Sequence, residues 1–284
     1  MIIALPVKII IFENYQRFQP MDILMKKYTL LLLSAGLFLF FIGCSQPEVQ
    51  SGETGEDNFY ELRIYDAEPG KLDDLHARFR DHTLRLFEKH SITSIGYWVP
   101  IDNTENRLYF VLAYPNREAR ESSWAAFASD PEWIDAKEAS EINGRLVANT
   151  QSIFLAETDY SPVVTPTVSE TPRLFEFRIY KATPGNLERL HARFRNHTIG
   201  LFSKHGIEHF GYWSPIDVDN GSDDTLIYFM SHKDSESRDA SFEAFRNDPD
   251  WLSAREASEV DAGGSLTVSV ERVLMEAADY SPTK

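Results

Sequence analysis

Cysteine is almost absent from this chain: Cys44 stands alone among 284 residues. An intramolecular disulfide and a Cys-x-x-Cys pair are therefore excluded. Basic residues are also scarce, 28 against 44 acidic ones, for a net charge of −16. No Lys/Arg run offsets this in the body of the chain, so recognition of nucleic acid or an anionic membrane through a basic patch is not expected. There is no Gly-rich phosphate loop and no Gly-x-Ser-x-Gly nucleophile elbow. Long apolar runs are missing too, save the 14 residues Thr29–Ile42, short of the roughly 20 a membrane span needs. Aromatic residues, in contrast, are plentiful. With 19 Phe, 12 Tyr and 5 Trp in a chain that is 43% hydrophobic, one or two globular domains with substantial cores are expected.

The lone cysteine is informative because of its position. Met25-Lys26-Lys27 opens a basic segment, Thr29–Ile42 follows, and the run closes on Phe41-Ile42-Gly43-Cys44. Positive, apolar and small-residue segments in that order make a secretory signal. The Gly-Cys junction resembles a bacterial lipobox, with Phe41 where Leu is usual. Residues 1–44 are thus read as a signal and lipobox region, with Cys44 as the lipidated first residue of an exported protein. It would be anchored to a bacterial membrane and face the periplasm or the outside. A plain signal peptide or an uncleaved anchor is the alternative. Glu13 and Asp22 lie upstream of the basic segment, which suggests that residues 1–24 reflect a start assigned too early. The polar, acidic stretch 45–57 reads as a flexible tether.

The body of the chain is one unit written twice. Aligning Phe59–Asp102 with Leu174–Asp217 gives 27 identities in 44 positions without a gap. Glu61–Tyr65 returns at Glu176–Tyr180, His76–Arg80 at His191–Arg195, and Gly96-Tyr97-Trp98 at Gly211-Tyr212-Trp213. Asp-Tyr-Ser-Pro closes both copies, at Asp159–Pro162 and Asp279–Pro282. Two units, 58–162 and 174–284, are therefore expected around a Pro/Thr/Ser-rich linker, 163–173.

Within a unit, Tyr60–Tyr65 alternates as a strand. Lys71–His90 carries Leu72, Leu75, Phe79 and Leu86 at helical spacing. Ile95–Ile101 and Leu108–Tyr114 form two strands, and in the second copy their loop is three residues longer, around Asp219-Asn220-Gly221. Glu118–Ala128 is a second helix, restarted at Asp130-Pro131, where aspartate caps and proline takes the first helical position. Thr150–Glu157 is the last strand. The order β-α-β-β-α-β is the ferredoxin-like plan. Each such sheet leaves one face bare, so the expected fold is α+β, an intramolecular pseudo-dimeric α+β barrel.

With these residues in view, the unit resembles the NIPSNAP family. The match rests on Tyr60–Tyr65 and Phe175–Tyr180, the Pro-Gly before the first helix, Gly-Tyr-Trp in the second strand, and Asp-Pro-Glu-Trp or Asp-Pro-Asp-Trp late in the second helix. The resemblance implies the dimeric α+β barrel fold and leaves activity undefined. The wider superfamily includes small monooxygenases and haem enzymes, so a cofactor-independent monooxygenase and a purely structural module stand beside a ligand- or partner-binding protein.

The candidate pocket follows from strand alternation. Glu61, Arg63 and Tyr65 share one face of the first strand, as do Glu176, Arg178 and Tyr180. If the opposite, apolar face met the helices, these charges would point between the sheets. They would form either a structural Glu–Arg network or a polar cavity for an anionic or carbonyl-bearing molecule. His82 and His197 fall on the core-facing side of the first helix, as satisfied core histidines or as a base. Tyr97, Trp98, Trp133 and their copies Tyr212, Trp213 and Trp251 are core aromatics or part of a binding cage. No metal site is expected: His82 and His90 are about 12 Å apart along a helix. The motifs imply no cofactor. Duplication within one chain makes a monomer sufficient.

Overall fold

The structure, a computed structural model, describes residues 59–284; the readings of residues 1–44, Cys44 and the 45–57 tether concern residues outside these. The first repeat runs β1 (Phe59–Ala67), α1 (Leu72–Arg78), α2 (Leu84–Lys89), β2 (Thr93–Pro100), β3 (Arg107–Tyr114), α3 (Arg117–Ala128), α4 (Pro131–Ser140) and β4 (Val147–Glu157). The second runs β5 (Leu174–Ala182), α5 (Leu187–Arg193), α6 (Ile199–Lys204), β6 (Glu208–Pro215), β7 (Thr225–His232), α7 (Ser235–Arg246), α8 (Pro249–Ala262) and β8 (Thr267–Ala277). The eight strands close into one barrel in the order β1-β3-β2-β8-β5-β7-β6-β4. Each repeat thus contributes four antiparallel strands. The seams are β2 on β8, where Trp98 faces Ala277, and β4 on β6, where Glu157 faces Trp213.

Tyr60, Leu62 and Ile64 of β1 point into the barrel. There they join Trp98, Tyr109, Phe175, Phe177, Phe210, Trp213 and Phe229 in an aromatic core. Trp98 lies 4.9 Å from the Phe229 ring and Tyr60 lies 5.7 Å from Trp213, contacts worth about 0.5–1.5 kcal/mol each beyond their buried area. Gly96 and Gly211 are required by these indoles. A Cβ at either position would come within 2.4 and 2.2 Å of the tryptophan two residues on.

The other face of the strands meets the helices, so both faces are buried. This overturns the expected orientation. The apolar face fills the barrel, and Glu61, Arg63, Glu176 and Arg178 point outward under the helices of their own repeats. The predicted Glu–Arg networks exist, but they do not face one another across the two sheets.

The long first helix differs as well. Between α1 and α2 the ladder widens to a π turn at Phe79–Thr83, and Phe194–Thr198 repeats it. The Leu84 N–H reaches back to the Phe79 carbonyl, and the Thr83 hydroxyl donates to the Arg78 carbonyl at 3.1 Å. One extra residue per turn rotates everything beyond it. Thr83 and Thr198 take the buried positions, and His82 and His197 are exposed.

The aspartate caps form as expected. Asp130 and Asp248 each accept from the N–H two residues on, at 2.9 Å. Each also meets a histidine at the end of the preceding helix pair, His90 or His205, at 2.6 Å. Hydrogen bonds from Lys89 and His90 hold Asp130 well below the usual carboxylate range, as Lys204 and His205 do for Asp248.

The closing Asp-Tyr-Ser-Pro segments cross between repeats. Tyr280 OH lies 2.8 Å from His76 Nδ1, and Asp279 accepts two 2.8 Å bonds from Arg80. Reciprocally, Tyr160 OH lies 2.8 Å from His191 Nδ1, and Asp159 pairs with Arg195. Ser281 and Ser161 accept from the N–H groups of Tyr97 and Tyr212. Among the described residues, no helix is long and apolar enough to cross a membrane.

Candidate functional site

The outward face of β1 carries a carboxylate that cannot reach water. Glu61 is fully buried and accepts from Arg120 at 2.9 and 2.7 Å and from Ser152 at 2.6 Å; Arg63 and the Tyr114 hydroxyl also donate to it. Burial alone would raise its pKa, but Arg120 and Arg63 hold it below the usual range. Trp124 donates to Tyr114 at 2.7 Å and covers the Arg63 guanidinium at 4.3 Å. Every acceptor site on Glu61 is taken, so the cluster fastens α3 to the sheet.

The second copy is built on the same plan with looser ends. Glu176 is also fully buried and is paired with Arg178 and Arg238 at 2.7 and 2.8 Å. Burial is again outweighed, here by His232, Arg238 and Arg178, and Glu176 lies far below its ordinary value. Arg178 is raised: burial opposes this, and Tyr228, Tyr180 and Glu176 outweigh burial. His232 replaces Tyr114, 3.4 Å from Glu176, and neither of its ring nitrogens makes a hydrogen bond among the described residues. Phe242 replaces Trp124, and Arg272 replaces Ser152.

These exchanges coincide with a cleft of about 550 Å³ between α5–α8 and the outer face of β5 and β8, a size that suits a small organic ligand. Arg178 and Tyr180 form part of its floor, and Phe194, Phe202, Phe242, Phe245 and Trp251 line its apolar wall. Five of the 28 basic residues of an acidic chain gather there. They are Arg178, Arg193, Arg246, Arg255 and Arg272, against the single carboxylate of Glu259. The corresponding cleft of the first repeat is smaller, about 380 Å³, and is lined by Tyr65, Arg78, Trp133, Lys137, Glu141 and Arg145 among others.

The buried arginine of α1 and of α5 separates the two clefts. Arg78 pairs with Glu141 at 2.8 Å. Its counterpart Arg193, only 7% exposed, has Glu259 no nearer than 3.9 Å and Ser258 at 3.4 Å. Glu259 instead accepts from Arg255 at 3.0 Å. The Nε of neither arginine has a partner among the described residues, so the two differ in the distance to the glutamate. Burial pushes this guanidinium below its ordinary pKa, with Glu259 only partly offsetting it.

Of the residues proposed from sequence, Arg178 and Tyr180 line this cleft, Glu176 backs it, and Tyr65 lines the smaller one. Glu61 and Arg63 belong to the closed network. His82 and His197 are exposed outside both clefts, and Trp98 and Trp213 sit in the barrel core. Trp251, weighed from sequence as a core or cage aromatic, lines this cleft, and sequence reasoning missed Arg193, Arg255 and the rim arginines Arg246 and Arg272. A signal for Arg193 was present. It lies in the His-Ala-Arg-Phe-Arg motif, on the helix face shared by Leu190 and Phe194.

The sequence model of the NIPSNAP family matches residues 60–162 and 175–282. The chain belongs to the NIPSNAP family. A search of curated proteins found no match. Among solved structures, this tandem NIPSNAP chain is similar to a candidate monooxygenase of Fusobacterium nucleatum, with a TM-score of 0.51 and 11% identity over 78% of this chain and 92% of that one. A second candidate monooxygenase, from Lactobacillus acidophilus, gives a TM-score of 0.51 and 12% identity over 78% and 94%. At such identities the likeness concerns the fold alone. An uncharacterised NIPSNAP domain protein from Burkholderia xenovorans is 22% identical over 37% of this chain and 98% of its own, with a TM-score of 0.33.

Proposed function

We propose that the protein is a small-molecule binding protein whose site is the helix–sheet cleft of its second NIPSNAP repeat. We also propose that it works outside the cytoplasm, held to a bacterial membrane through Cys44. One observation carries the binding reading. The second repeat keeps a cleft of about 550 Å³ with an aromatic wall and a buried arginine whose carboxylate stands 3.9 Å away, whereas the first repeat narrows the same place to about 380 Å³ and pairs its arginine at 2.8 Å. The monooxygenase alternative drew on the His82, His197, Arg63 and Arg178 positions; both histidines are exposed, so that reading keeps its arginines and loses its bases. The export reading rests on the basic, apolar and Gly-Cys order of residues 25–44.

Native mass spectrometry of the purified full chain tests the binding reading. A compound should co-purify and be lost in Trp251→Ala, while Trp133→Ala in the first repeat retains it. A bare wild-type mass, or equal retention in both variants, overturns the assignment. Palmitate labelling tests the anchor: label that persists in Cys44→Ser rules the lipoprotein reading out.

A further inference from the structure

We infer that the ligand of this cleft is an amphipathic anion, whose carboxylate or phosphate pairs with Arg193 while a flat apolar body lies along Trp251 and Phe245. The inference rests on the binding reading above and adds the chemical class.

Three observations carry it. The first is local electroneutrality. A buried guanidinium without a close opposite charge is costly, because the desolvation of an ion amounts to several kcal/mol unless an opposite charge replaces the water. In the first repeat Glu141 supplies that charge at 2.8 Å. In the second the equivalent Glu259 is held by Arg255 at 3.0 Å and stands 3.9 Å from Arg193, which leaves Arg193 free to take a closer anion from outside the chain. The second observation is the excess of charge. Arg178 is matched by Glu176 and Arg255 by Glu259. The side chains of Arg246 and Arg272 make no ion pair or hydrogen bond among the described residues, and both are exposed on the cleft lining. A cationic mouth on a chain of net charge −16 gathers small anions that the rest of the surface repels. The third is the wall. Trp251 lies 5.4 Å from the Arg193 guanidinium carbon and 4.5 Å from the Phe245 ring. An arginine beside two packed aromatic faces suits a head group joined to a flat body. Guanidinium binds carboxylate and phosphate alike through its forked N–H groups.

Benzoate, phenyl phosphate and the neutral analogue benzamide, titrated into the full chain by calorimetry, test this. Both anions should bind and benzamide should not. The stronger of the two anions identifies the head group. Arg193→Met should weaken anion binding at least about tenfold, and Arg78→Met, in the first repeat, should leave it unchanged. Glu259→Gln should strengthen binding several-fold, because it removes the competing carboxylate; a merely structural role for Arg193 predicts no such gain. If benzamide binds as well as benzoate and Trp251→Ala abolishes both, the cleft is a binding site and the anion inference is wrong. If none of the three binds and no compound co-purifies with the chain, both readings fail.

Discussion

The two repeats share a backbone plan down to the π turn, yet they treat one position in opposite ways. In the first, Arg78 is held by Glu141 at 2.8 Å, and Trp124, Tyr114 and Ser152 fill the space around Glu61. In the second, the same arginine is left without a close carboxylate, and Phe242, His232 and Arg272 stand where those three stood. Buried ionic clusters can therefore be either mortar or socket on one scaffold. Complete local pairing decides which, since a satisfied network leaves nothing for a ligand to replace.

The largest expected effect tests what the repeats have in common. Glu61→Ala and Glu176→Ala each leave two largely covered arginines without their buried carboxylate, and each should cost about 3–5 kcal/mol of unfolding free energy. Chemical denaturation measures this; a loss below about 1 kcal/mol in either variant would show that the network is not structural in that repeat. The next effect sharpens the difference. Glu141→Gln removes the charged partner of Arg78 and should cost about 1.5–3 kcal/mol. Glu259→Gln loses an exposed helical pair and a long 3.9 Å contact to Arg193 and should cost less than about 1 kcal/mol. Equal losses would mean that the two arginines are held alike.

The smallest effect concerns the clasps, which are equivalent in the two halves. Burial lowers the pKa of His76, with Asp73, Arg80 and Asp279 around it, and likewise that of His191, beside Glu188, Arg195 and Asp159. Each is depressed relative to the unfolded chain. The stability it contributes is therefore complete above the ordinary histidine pKa of about 6.5 and is lost as pH falls through the folded value. Asp159 and Asp279, lowered by hydrogen bonds from Arg195 and Arg80, extend the loss to more acid pH. Thermal melts between pH 7 and 5 should show a falling midpoint, and His76→Gln and His191→Gln should each flatten the curve by a similar amount. A curve flattened by only one of them would break the symmetry of the clasps.

Much of the fold is legible in the sequence because its signals are local. Strand alternation, the Asp-Pro caps and the duplication need only neighbouring residues. The orientation of β1 is not legible, because in a barrel strand both faces are covered and alternation does not say which layer lies on which side. The informative residues were distant: Arg120 and Arg238, at equivalent places on the second helices, are what the buried glutamates pair with. The misplaced His82 and His197 follow from the π turn, which a period of 3.6 cannot reveal. Thr83 and Thr198, identical in both copies and bonded five residues back, are its trace. The cleft was missed because its formation depends on where Glu259 turns, a choice made by Arg255 one helical turn away.

The crossed Asp-Tyr-Ser-Pro segments have a consequence for how the chain is made. Trp98 of β2 pairs with Ala277, and His76 meets Tyr280. The first half therefore waits for the end of the second repeat before its seam can close. Until then β2 presents an open strand edge, and so does β4, on the side away from β1, until β6 follows it. Closure of the barrel is thus a late event in the life of each molecule, and the interval before it is when the chain is most open to pairing with a neighbour instead of with itself.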